Sequence, residues 1–170
     1  MQAIVLSMAA PRSERNQKSA DGPIRLDETD KAIVQHLQAD GRMPYTKLGP
    51  LVGLSAPATR QRVLHLIDSG VMEVVAVTNP RTLGFEIQAF LGIRTSGGTH
   101  AAAEYLAELE EAVYILVTTG RFDVICEVVC EDNDHLLDLM DRLGAHDSIA
   151  SIEVFSFVSL IKQTYDWGTR

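Results

Sequence analysis

Cysteine is scarce: the 170 residues hold two, Cys126 and Cys130. Two cannot make a disulfide framework, which fits a reducing compartment. Four apart on a strand-like stretch, they lie too far from each other to bridge and lack the second pair a zinc site needs. Both therefore read as small buried hydrophobes. No uninterrupted apolar run reaches 18 residues, so no membrane span is expected. The opening MQAIVLSMAAP lacks a basic start, which argues against a signal peptide. The five histidines show no metal-ligand spacing, and no phosphate-binding loop or catalytic constellation is present, so neither an enzyme nor a metal or cofactor site is expected. Glu110-Glu111 and the Asp132/Asp134 pair read as solvated helix ends.

Acid is missing from one place in particular. The formal net charge is −8, which taken whole argues against a phosphate-binding surface. Residues 1–78, however, carry nine basic and eight acidic groups, whereas residues 79–170 carry six and fifteen. From Gly41 through Ile67 there is no Asp or Glu, while Arg42, Lys47, Arg60 and Arg62 all occur. Phosphate contact is expected in that stretch, and the acidic half should face away from it.

Residues 1–25 have no periodicity and read as a flexible tail, with a short apolar patch at Ile4–Met8. Asp27 heads an amphipathic helix carrying Ile33, Val34 and Leu37, stopped at Asp40-Gly41. A short helix fits Tyr45 to Val52. Ser55 caps a third, which buries Val63, Leu66 and Ile67 and ends at Gly70. Val71 to Val77 reads as a strand, enough for a small wing. This unit spans 26–78, and 79–84 reads as a linker or hinge. Residues 85–162 give strand, helix, strand, strand, helix, strand: an alternating strand around Phe85–Arg94, a helix at Ala101–Glu111, strands at Val113–Thr119 and Asp123–Val129, a helix at Asp134–Leu143, and a long strand at Ile149–Ile161. The first helix should bury Ala102, Tyr105, Leu106 and Leu109, and the second Leu136, Leu137, Met140 and Leu143. That order is the ferredoxin-like split βαβ, here in a chain of overall α+β class. Phe155 and Phe157, on the sheet face without helices, point to cover by a second subunit. Residues 163–170 form a C-terminal tail.

Two constellations carry chemistry. Lys47 to Ile67 has helix-turn-helix spacing. Ser55 can contact a phosphate at the helix start, Ala58 and Thr59 are small enough for close approach to base edges, and Arg60 and Arg62 can reach guanine or phosphate, with Arg42 nearby. The alternative is a three-helix core for protein contact, with its arginines merely solvated. In the second half, Gly120-Arg121-Phe122-Asp123 joins two strands. Gly120 permits close backbone approach, Arg121 suits a carboxylate and Asp123 an amino group, together the needs of an α-amino acid. The alternative is a plain turn in which Asp123 caps local backbone.

The series LDETDKAIVQHLQADGR, VGLSAPATRQRVLHLIDSGVM and NPRTLG resembles the N-terminal half of the Lrp/AsnC (feast/famine) regulators. VTTGRFDVICEVVCED is similar to their amino-acid-sensing, or RAM, domain. The likeness covers about residues 26–162. It implies a transcription regulator with a winged or wingless N-terminal helix-turn-helix and a C-terminal ferredoxin-like βαββαβ domain. It implies a cytoplasmic, nucleoid-associated homodimer assembling to tetramers or octamers, bound to promoter DNA. An amino-acid effector would sit at the Gly120–Asp123 turn between dimers. Where the family has Thr-x-Thr on the last strand, alignment puts Ile152 and Val154, a more apolar pocket. An architectural DNA-binding protein without an effector is the alternative. Helix two departs as well. Pro44 and Lys47 replace the family's capping residues, and Pro50 beside Gly49 predicts a short or kinked helix.

Overall fold

The computed structural model describes residues 25–164 and 168–169. The tail expected at 1–25, apart from Arg25, and part of the tail at 163–170 lie outside the described residues. The described residues divide into two compact units, one of residues 25–76 with 163–164 and 168–169, and one of residues 77–162.

In the first unit, α1 spans Glu28–Ala39, α2 Tyr45–Leu51 and α3 Ala56–Asp68. Asp27 caps α1 through a capping box: its carboxylate accepts from the Asp30 N–H while the Asp30 carboxylate accepts from the Asp27 N–H. α2 has seven residues, and its N-cap Pro44 offers no side-chain bond. Pro50 stands in its last turn, so the helix is short, as its composition implied. Ser55 caps α3, accepting from the Ala58 N–H. Gly70 beyond its end takes φ +75°, the left-handed conformation that glycine adopts without steric cost. Ile33, Leu48, Val63 and Leu66 are fully buried between the three helices.

The expected wing strand at Val71–Val77 does not form. Val71 and Met72 pack on the three-helix core, and the chain beyond them runs without ladder bonds to Asn79. β-propensity needs a partner strand, and among the described residues none pairs here; Val74, Val75 and Val77 stay more than half exposed. The linker is structured. Asn79 caps a single 3₁₀ turn, Pro80–Leu83, closed by Gly84.

The second unit runs β1 (Ile87–Thr95), α4 (Thr99–Ala107), β2 (Ala112–Val117), β3 (Val124–Cys130), α5 (Asn133–Gly144) and β4 (Ile149–Ser156). The four strands form one antiparallel sheet in the order β2-β3-β1-β4. This is the ferredoxin-like arrangement. Ala89, Leu91 and Ile93 of β1 meet Val124, Cys126, Val128 and Cys130 of β3, and Leu106, Leu139 and Leu143 from the helices close over them. Two boundaries move by four or more residues from the sequence reading, and one side chain changes face. α4 stops at Ala107, and β4 at Ser156 rather than near residue 161, close to where its partner β1 begins. In α5 the inward residue is Leu139, fully buried, while Leu137 is 60% exposed. Leu137 stands about 100° round the helix from Leu136, so both cannot face the sheet.

Candidate nucleic-acid interface and effector turn

Side chains on α3 sort by angle. Thr59, Val63 and Leu66 are buried, and at about 100° per residue the opposite arc holds Pro57, Arg60, Gln61, Leu64, His65 and Asp68. These six line one shallow surface hollow. Of the residues expected to meet DNA, Arg60 lies on this stripe and is exposed, Ser55 is exposed at the helix start, and Arg42 is exposed in the turn after α1, its N–H donating to Asp40.

The others sit elsewhere. Thr59 is fully buried, its hydroxyl donating to the Ser55 carbonyl at 2.9 Å, so it offers nothing to a base edge. Ala58 is half-buried beside the stripe. Arg62 is held inside the unit: its Nη1 lies 2.7 Å from both Asp27 and Asp30 at the head of α1. A residue committed to two carboxylates is a poor phosphate ligand, so Arg62 is reassigned from DNA contact to a clamp between α1 and α3. Gln61, Leu64 and His65 share the exposed stripe with Arg60, where the i, i+3, i+4 complement of the buried Val63 and Leu66 places them.

The clamp has a pH signature. The Asp30 N–H, then the Arg62 guanidinium, hold the Asp27 carboxyl below its ordinary value of 3.8. A depressed folded pKa gives stability that is present above the unfolded value and lost as pH falls through the folded one. The first unit should therefore lose thermal stability below about pH 4. Arg62→Ala should lower its melting midpoint at neutral pH and weaken that acid dependence. Equal acid dependence in native and variant melts would contradict the clamp.

The second site is the turn from Thr118 to Asp123. Its backbone is anchored: Thr118 N–H donates to the Asp123 carbonyl and Asp123 N–H to the Ile93 carbonyl, both at 2.9 Å. Thr118 Oγ1 donates to the Phe122 carbonyl. The Asp123 carboxylate accepts from Thr95, at 2.8 Å from the backbone N–H and 3.3 Å from the hydroxyl, both on Oδ2. Arg121 is exposed, pairs with Glu153 at 2.6 Å and lies 5.4 Å above the Phe122 ring. That ring covers Gly92, where any Cβ would come within 2.7 Å of it, and meets Phe155 edge-on at 5.9 Å. A Cβ on Gly120 would meet nothing within 4 Å.

Strand register places β4 differently from the alignment. Ile152 opposes Ile93 and Val154 opposes Leu91, so both lie on the helix-covered side of the sheet, and Ile152 packs in the core. Glu153 and Phe155, opposite Gly92 and Phe90, stand on the side where Arg121 and Phe122 lie. Within the chain the structure thus groups the turn with Glu153 and Phe155 rather than with Ile152 and Val154. Strict alternation along β4 was the signal that could have found them.

A further polar cluster lies within the sheet unit. Glu111 is bound by His135 at 3.0 Å and by Arg142. Burial would raise its carboxyl, but the His135 and Arg142 bonds outweigh that and lower it. Burial pushes the Cys126 thiol up to about 12 and raises Cys130 as well, so neither is a ready nucleophile at neutral pH. Among the described residues no three His, Cys, Asp or Glu are grouped to hold a metal, and no helix is long and apolar enough to cross a membrane.

Residues 26–67 match the AsnC-type helix-turn-helix domain, and residues 88–167 the Lrp/AsnC ligand binding domain. A curated HTH-type transcriptional regulator of Pyrococcus furiosus is 32% identical over 84% of this chain and 96% of its own length. The chain belongs to the Lrp/AsnC family. Lrp/AsnC proteins are DNA-binding transcriptional regulators rather than enzymes. The HTH-type transcriptional regulator FL11 of the same organism is 29% identical over 82% of the chain and 93% of its own. Among solved structures, the Mycobacterium tuberculosis leucine response regulatory protein has a TM-score of 0.74 at 26% identity, covering 81% of this chain and 96% of that one. A transcriptional regulator of Neisseria meningitidis, solved as its L-methionine complex, has the same fold, with a TM-score of 0.73 at 24% identity over 82% and 94% of the chains. The Lrp/AsnC membership assigns the α3 unit to DNA and the sheet unit to a ligand.

Proposed function

We propose that this Lrp/AsnC protein is a sequence-specific, promoter-binding regulator of amino-acid metabolism genes, tuned by an amino acid. It works in the cytoplasm on nucleoid DNA, as a homodimer that assembles to tetramers or octamers, and needs no cofactor besides the effector. One observation carries the DNA reading: the exposed stripe of α3 carries Arg60 and holds no acid before Asp68. The sheet face that carries Tyr114, Leu116 and Phe155, each 40% exposed or more, supports cover by a second subunit.

For the effector, Arg121 offers a cation and Glu153 an anion beside the Phe122 and Phe155 rings. These are the complements of a carboxylate, an ammonium and an apolar side chain. The same-fold Neisseria regulator bound to L-methionine supports this ligand class. Binding would act by linkage, favouring one assembly and so shifting operator affinity.

The architectural reading also has an observation in its favour. Arg121 and Asp123 are already satisfied inside the chain, by Glu153 and Thr95. Gel-shift titration of the chain's own upstream DNA, with and without each of the common amino acids, separates the two. A shift in affinity with one or a few apolar amino acids is expected. Unchanged affinity with all of them, and no heat on mixing by calorimetry, would support the architectural protein instead.

A further inference from the structure

The exposed arc of α3 is not uniform. It spans roughly 140°, with Arg60 on one edge, His65 on the other, and Gln61 between them. Pro57 and Leu64 supply apolar surface along the same stripe, and Asp68 closes it, about 10 Å further along the axis than Gln61. Arg62, the other cation of this helix, faces α1 and is already paired.

A recognition helix touches base edges with its N-terminal turns, and its far end is left near the phosphates. At that far end this helix presents a carboxylate, which phosphates repel. Productive contact is thereby confined to the turns holding Pro57, Arg60 and Gln61. Glutamine is the side chain whose amide matches adenine, accepting from N6 and donating to N7, a pattern that no other base pair repeats in the major groove. Arginine is less discriminating, because its fork fits both guanine and phosphate.

We infer that Gln61 is the principal base-reading residue of this chain and selects an adenine in each half-site, with Arg60 beside it on guanine or phosphate. Asp68 limits the reading to the first two turns of α3. The inference rests on the DNA-binding function proposed above and names its specificity determinant.

The test is binding-site selection by the full chain from a randomised duplex pool, for the native protein, Gln61→Ala and Gln61→Glu. Native protein should recover one adenine per half-site whose replacement costs about tenfold in affinity. Gln61→Ala should lose that preference while affinity for mixed-sequence DNA stays within about twofold. Gln61→Glu should move it to cytosine, whose N4 amino group a carboxylate accepts; misfolding cannot mimic such a gain. Sites unchanged in both variants would overturn the role of Gln61 and leave DNA binding intact. Failure of the native chain to select or retain any DNA would overturn the proposed function with it. Loss of helical circular dichroism in either variant would also contradict the inference, because an exposed reader is not needed for folding.

Discussion

Gly49→Ala should cost the first unit about 2 kcal/mol and abolish DNA retention while leaving the sheet unit's melting unchanged. A Cβ on Gly49 would lie 2.6 Å from the Leu54 carbonyl oxygen and 3.0 Å from Thr59 Oγ1. Neither neighbour can retreat cheaply. Leu54 is tied to residue 49 itself, its N–H donating to the Gly49 carbonyl at 2.9 Å, and Thr59 is held by the Ser55 carbonyl. The clash is therefore with backbone and with a committed hydroxyl, so the turn between α2 and α3 must open. Overpacking of this kind costs about 1–3 kcal/mol, against a helix-propensity gain for alanine of up to about 1. Turning α3 out of its seat also misdirects Arg60 and Gln61. Urea unfolding followed by circular dichroism, with gel shift on the same samples, measures both effects. A variant as stable as the native chain would show that the two helices do not approach this closely.

Leu139→Ala should destabilise the sheet unit by about 3 kcal/mol, and Leu137→Ala by less than about 0.5. Leu139 is fully buried against β1 and β3, whereas Leu137 is 60% exposed. Removing the first leaves a cavity in a close-packed core; removing the second leaves water where water already is. Denaturant titration of the two variants checks the contrast. Equal losses would mean that α5 is rotated from the orientation described.

The two leucines show where the sequence was legible. Local signals translated well. Asp27 announced the head of its helix, Ser55 its cap, Pro50 its short helix, and the alternation of β1 its core face, because each is decided within a few residues. Leu136 and Leu137 are adjacent and equally apolar, so α5 offered two hydrophobic arcs, and only the sheet beneath chose between them. The failed strand at Val71–Val77 has the same cause, since valines make a ladder only where a partner exists.

Long-range pairing was the least legible part of the site. Arg62 is drawn away from the exposed stripe of α3 by carboxylates 32 and 35 residues away, and nothing near Arg62 in sequence signals that. Glu153 meets Arg121 across 32 residues. By contrast, the exposed stripe of α3 was readable from the sequence once the buried residues of that helix were known. A basic residue in an acid-free segment thus pointed to this helix as the candidate DNA surface but not to which of its side chains are free.

The most direct test of the central claim, that the α3 stripe binds DNA, is the salt dependence of that binding. Native chain and Arg60→Ala should be titrated onto the chain's own upstream duplex between about 50 and 200 mM salt. Native affinity should fall steeply and log-linearly, and Arg60→Ala should bind more weakly with a slope shallower by about 0.9 per subunit contact. No retention at low salt, or the same affinity and slope in both proteins, would contradict it.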